Sequence, residues 1–188
     1  MSADRLPPIA PALWTEAQRE HARRIIDGPR GALVSPFVPM LRSPELMGHA
    51  EAMGEYLRFR SAIGTRLSEL AILVTARAWA QPVEWAIHAP IAARQGIAVQ
   101  TIAAIAEGRR PESLAEDERA VYDFCTELHE QHAVSDATWS DALQLFGEQG
   151  VVDLIGLTGY YTFLSMLMNA ARTPAPASDA PPLGDLRR

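Results

Sequence analysis

Glu84 and His88 stand four residues apart, so on a helix they share one face. A carboxylate beside an imidazole can exchange a proton near neutral pH. Gln81 lies just ahead of that pair, and Arg66, Glu69 and Arg77 lie in the stretch before it. The chemistry these types suit is proton transfer on an anionic substrate. Arginine forms bidentate pairs with carboxylates, and the Glu–His group supplies or removes the proton. His88, Glu84 and Glu69 are the candidate catalytic residues. Arg66, Arg77, Gln81, Trp85, His49 and Tyr160 are the candidate substrate-binding residues. The bland alternatives stay open: a core histidine satisfied by a backbone carbonyl, and ion pairs of Glu69 with Arg66 or Arg77. Neither H-x-x-x-H nor H-E-x-x-H occurs, so no metal ligand set is assigned, and no cofactor is expected.

Two helices must hold these groups. Residues 65–80 are apolar almost all round, the pattern of a central core helix, yet Arg66, Glu69 and Arg77 fall within a sector of about 80°. A polar stripe on a buried helix needs partners, because an unpaired buried charge is unfavourable. Pro82 suits the first turn of a helix and not its interior. It therefore ends the first helix and opens a second, 82–95. The antiparallel return past Pro82 brings Glu69 opposite His88. Glu69, Gln81, Glu84 and His88 are expected to converge on one small apolar cavity between the two helices, with Leu73, Trp85, Ile87 and Ile91 limiting water.

This stretch resembles the core of the carboxymuconolactone decarboxylase family, which includes the alkylhydroperoxidase D-like proteins. The matching residues are R-L-S-E-L-A-I-L at 66–73, E-W-A-I-H at 84–88 and A-x-x-x-G-I at 92–97, with Y-L-R-F-R-S-A-I-G at 56–64 fitting one branch. The resemblance covers about 45–171. In the peroxidase branch a glutamate is followed by the two cysteines of a C-x-x-C and then a histidine. Counted from Glu69, those places hold Gln81, Glu84 and His88 here. Both cysteines are missing, and the chain's one cysteine, Cys125, lies far along the sequence. Dithiol peroxidase chemistry needs a thiolate and a resolving thiol, so the resemblance is to the cysteine-less branch. It implies an all-α helical bundle and a homo-oligomer, trimer or hexamer. It also implies cofactor-independent decarboxylation, or a related lyase or isomerase proton transfer, on a small carboxylated lactone or dicarboxylate of aromatic-compound catabolism. The alternatives are a peroxiredoxin-type oxidoreductase and a non-catalytic oligomeric binding protein.

Composition sets the frame. The chain has 188 residues, 48% hydrophobic and 21% charged, with net charge −6. That suits a soluble globular domain and argues against broad nucleic-acid binding, which needs a basic face. One cysteine excludes an internal disulfide and fits a reducing cytoplasm. The uncharged run 154–171 is interrupted by Gly156, Thr158, Gly159, Ser165 and Asn169, and reads as a buried or interface helix rather than a membrane span. Residues 1–14 read as an arm, 15–172 as one helical domain and 173–188 as a disordered Pro-rich tail. Within the domain, helices are predicted over 16–27, 44–60, 65–80, 82–95, 98–107, 116–132, 136–149 and 151–171, the last two parted at Gly150. Residues 28–42 read as an ordered loop. No strand pattern appears, so the class is all-α.

Overall fold

The computed structural model describes residues 3–28 and 31–184. All regular structure among them is helical: a 3-10 turn at Pro11–Leu13, then α1 Glu16–Asp27, α2 Phe37–Met40, α3 Pro44–Phe59, α4 Gly64–Ala78, α5 Pro82–Arg94, α6 Val99–Ala106, α7 Glu116–Gln131 and α8 Asp136–Ala171. The short turn α2 stands in the segment expected to be loop. α4 is the axis of the bundle. Residues 67–76 are buried without exception, and α5, α7 and α8 pack around it.

Local chemistry sets the helix ends. Thr15 and Gln18 form a capping box. Pro44 and Pro82 occupy the first turns of α3 and α5, where the missing N–H costs nothing. Gln81 caps α5 with its own side chain, Oε1 accepting from Val83 N at 2.6 Å. Pro90 sits inside α5 and leaves the Ala86 carbonyl without its helical donor. Ser178 Oγ donates to that carbonyl at 2.9 Å, so the C-terminal segment repairs the gap.

Two expectations change. α8 breaks at Gly147 (φ 66°, ψ 176°), not at Gly150. Gly150 is buried in the helix, where a Cβ would meet Phe146 Cβ at 2.5 Å. Residues 173–184 are not free in solution as a tail. They carry no helix but lie against the bundle, with Trp85 Nε1 donating to Pro181 O at 2.6 Å and Gly184 N to Ala106 O at 2.9 Å. The expectation for 185–188 falls outside the described residues. On α3, Leu46 and Met53 lie in solvent, each 46% exposed, while Met47, Ala50, Gly54 and Leu57 form the buried face.

α8 is long and apolar enough to cross a membrane by length and composition, and 56% of that window is buried inside the bundle. The arm is also anchored, Arg5 N donating to Ala171 O at 2.8 Å.

Candidate active site

Glu69 sits midway along the buried face of α4, and α5 returns beside it after the turn at Trp79–Gln81. That return places His88 Nδ1 2.6 Å from Glu69 Oε2. One helical turn earlier on α5, Glu84 Oε2 lies 3.3 Å from His88 Nε2. The imidazole is therefore held at both nitrogens by carboxylates. All three side chains are buried, with Glu69 0%, Glu84 2% and His88 3% exposed. Burial works against a charge on His88, but the Glu69 carboxylate, then the hydrogen bonds to Glu69 and Glu84, outweigh it and raise the pKa from 6.5 to about 9. His88 is an imidazolium at neutral pH, donating from both nitrogens.

Two further elements complete the site. From the end of α3, Arg58 brings its Nε to 3.5 Å from Glu69 Oε1, within ion-pairing range but without hydrogen-bond alignment. From α8, Tyr161 sets its ring edge-on to His88, centroids 5.2 Å apart, and Tyr160 stacks edge-on to Tyr161 at 5.3 Å. Burial, and next the Glu84 charge, raise the Tyr161 pKa well above 10, so its phenol stays protonated. Tyr160 fits because residue 54 is glycine: a Cβ there would lie 2.3 Å from the Tyr160 hydroxyl.

These groups face a cavity of about 360 Å³. Ser35, Arg58, Glu84, His88, Tyr160 and Tyr161 supply its polar atoms, and Val34, Pro36, Phe37, Phe59, Ile87 and Leu164 its apolar wall. Glu84 Oε1 has no hydrogen-bond partner within the protein. A planar, partly apolar molecule bearing an anionic group suits such a lining. Glu69 does not line the cavity and acts on it through His88.

Glu69, Glu84 and His88 thus come together as the spacing implied, and Tyr160 joins them. The cavity lies between α3, α5, α8 and the 34–37 turn, not between α4 and α5. Five of the candidate binding residues lie elsewhere. Arg66 pairs with Asp117 and Glu118 in the first turn of α7. Arg77 donates to Gly184 O at 2.5 Å and lines a separate cavity of about 550 Å³ with Glu107, Tyr122 and His129. Sharing an angular sector with Glu69 did not keep them together, because the eleven residues from Arg66 to Arg77 extend about 16 Å along the axis. Gln81 turns to α8, Nε2 donating to Asn169 Oδ1 at 2.9 Å. Trp85 is spent on Pro181, and His49 is exposed on α3.

Arg58 was not among the candidates, although the Y-L-R-F-R-S-A-I-G segment holding it drew notice. Its place beside Glu69 depends on where the end of α3 meets α4. Cys125 is fully buried, 3.4 Å from Thr158 Oγ1, and burial pushes its thiol up to about 12. It is not among the residues around the His88 cavity. Among the described residues no group of three or more His, Cys, Asp or Glu is arranged to hold a metal ion. The reason in this site is geometric: the two carboxylates engage opposite nitrogens of one ring.

No family model and no curated protein matches the chain. Solved structures do. The debrominase Bmp8 in its apo form superposes with a TM-score of 0.72 at 16% identity, over 92% of each chain. A cysteine-to-alanine variant of Bmp8 in complex with 2,3,4-tribromopyrrole gives 0.72 at 15%, over 92% of this chain and 91% of that one. The alkylhydroperoxidase AhpD core of an uncharacterized peroxidase-related protein from Ralstonia eutropha JMP134 gives 0.73 at 14%, over 90% of each. At these identities the likeness establishes the fold: the chain has the all-helical alkylhydroperoxidase D-like architecture.

Proposed function

We propose that the protein is a cofactor-independent proton-transfer enzyme acting on a small unsaturated carboxylate, and that decarboxylation of a carboxylated lactone or dicarboxylate is its reaction. The observation that carries this reading is His88, charged and clamped between Glu69 and Glu84 beside a cavity that also holds Arg58. Arg58, rather than Arg66 or Arg77, pairs with a substrate carboxylate. The bond to the departing carboxylate breaks, CO2 leaves, and the electron pair stays on the substrate, conjugated with its carbonyl as a dienolate. The protonated Tyr161 is the hydrogen-bond donor that stabilises that oxygen, with the positive charge of His88 beside it. A proton then replaces CO2 on carbon. Glu84, with its unpartnered Oε1, passes it on from His88, and solvent restores it. Glu69 keeps the imidazole oriented and charged.

Thiol peroxidase chemistry, although a structural neighbour is described as peroxidase-related, is not supported for this chain. The one thiol is buried, with its pKa near 12, where the thiolate is scarce at neutral pH. A location in the cytoplasm and assembly into a homo-oligomer go with this proposal. The test is turnover on a panel of carboxylated lactones and dicarboxylates. The wild type should release CO2 from at least one member without added cofactor, and His88→Ala should lose roughly 10²–10⁴-fold. Equal turnover by wild type and His88→Ala, or activity only with a hydroperoxide and a dithiol, would overturn the reading.

A further inference from the structure

The charges around His88 already cancel before any ligand enters. Arg58 and the imidazolium of His88 are the cations, and Glu69 and Glu84 are the anions. The other elements packed about Glu84 add no charge. α8 brings the phenols of Tyr160 and Tyr161, and neither the 34–37 turn nor α6 holds a titratable side chain. A substrate carboxylate therefore carries a net negative charge into a site that is buried and balanced. A buried charge without a counter-charge is strongly unfavourable. Arg58 can meet that carboxylate, since its Nε has no hydrogen-bond partner in the protein. It already offsets Glu69, however, at 3.5 Å. One of the two glutamates has to give up its charge.

The two are not equivalent. Glu69 lies between two cations, its Oε2 2.6 Å from His88 Nδ1 and its Oε1 3.5 Å from Arg58 Nε. Glu84 has one, His88 Nε2 at 3.3 Å from Oε2, and its Oε1 is buried with no hydrogen-bond partner. Glu84 also lines the cavity, which Glu69 does not. An entering carboxylate thus acts most strongly on Glu84, the less compensated of the pair. A proton there removes the like-charge repulsion and turns an unpartnered acceptor into a donor. His88 is placed to hand that proton across and be recharged from solvent.

We infer that the Glu84–His88 pair takes up one proton from solvent as a carboxylate enters the cavity, so that the complex holds neutral Glu84 beside charged His88. This rests on the proposed function in taking the ligand to be a carboxylate, and it adds the order of events. Loss of CO2 from a carboxylate consumes one proton, and that proton is aboard before the bond breaks. The carbon–carboxylate bond breaks, CO2 leaves, and its electron pair stays on the substrate. That pair then takes the proton from Glu84 to form the C–H bond. Glu84 is left ionised and His88 charged, as in the free protein.

Benzoate is the probe, being planar, singly charged and without a carbonyl to receive the electron pair. Titration calorimetry near neutral pH in phosphate, HEPES and Tris, whose ionisation enthalpies differ, counts the protons exchanged on binding. The wild type should take up about one proton per benzoate, and its affinity should fall by up to about tenfold from about pH 6.5 to 7.5. Uncharged benzamide should bind without uptake. Glu84→Gln, neutral from the start, should bind benzoate without uptake and with nearly constant affinity over that range. If that variant does not fold, by circular dichroism, the comparison of benzoate with benzamide on the wild type decides. Benzoate binding with no proton exchanged, equal uptake with benzamide, or undiminished uptake in folded Glu84→Gln would overturn this inference and leave the carboxylate reading standing. Failure of benzoate and of every carboxylate in the turnover panel to bind would overturn both.

Discussion

Replacing Glu69 by glutamine keeps the shape of the side chain and removes the charge 2.6 Å from His88 Nδ1. Burial is the largest single influence on His88, and it opposes the charge; Glu69 is the largest influence in favour. With Glu69 neutral, only the weaker contribution of Glu84 resists burial. The His88 pKa should then fall from about 9 to about 6.5 or below. A fall of that size is about 3 kcal/mol of differential stabilisation of the imidazolium, at about 1.4 kcal/mol per pH unit. The assay is a side-chain NMR titration of His88, assigned by its loss in His88→Ala. The turnover profile should move with it: the alkaline limb, set by loss of the His88 proton, should shift down by about two pH units. A His88 pKa that stays near 9 in Glu69→Gln would refute the coupling, and Glu69 would then have no positioning role.

Four other outcomes follow from the same geometry. Because the folded His88 pKa lies above 6.5, the clamp's contribution to stability is full below about pH 6.5 and is lost as pH rises through about 9. Chemical denaturation should therefore show a loss approaching 3 kcal/mol between pH 6 and 10 that is absent in His88→Ala. Arg58→Ala should raise KM roughly tenfold to hundredfold with a smaller change in kcat, as removal of a charge-assisted substrate contact does; an unchanged KM would remove Arg58 from binding. Gly54→Ala should force Tyr160 to move, lowering melting temperature by the equivalent of about 1–3 kcal/mol and reducing activity, measured together. Cys125→Ala should keep full turnover, and the native thiol should resist Ellman's reagent until the chain unfolds.

Much of the fold was open to reading from local signals. Pro82 marked the end of α4 and the first turn of α5, because proline chemistry acts within one turn of the residue that carries it. The Glu69–His88 pairing was legible for a related reason: a hairpin with one tight turn ties spacing along the chain to spacing across it. Gly147 and Gly150 show where such reading ends. Both are glycines in one helical run, and only the packing of Phe146 against residue 150 tells the break from the close contact. Arg66 and Arg58 show the larger limit. Arg66 shared a sector with Glu69 but pairs with acids at the start of α7, and Arg58 reached Glu69 from another helix. Which element faces a given turn of α4 depends on contacts between residues far apart in sequence, which no spacing rule encodes.

In the proposed reaction His88, held between Glu69 and Glu84, supplies the proton that replaces the departing carboxylate. The most direct test is turnover in D2O followed by proton NMR of the product. One deuterium should appear at the carbon that lost CO2, placed on a single face, with incorporation and CO2 release both reduced roughly 10²–10⁴-fold in folded His88→Ala. Incorporation by His88→Ala at the wild-type rate, or a product labelled equally on both faces, would contradict it.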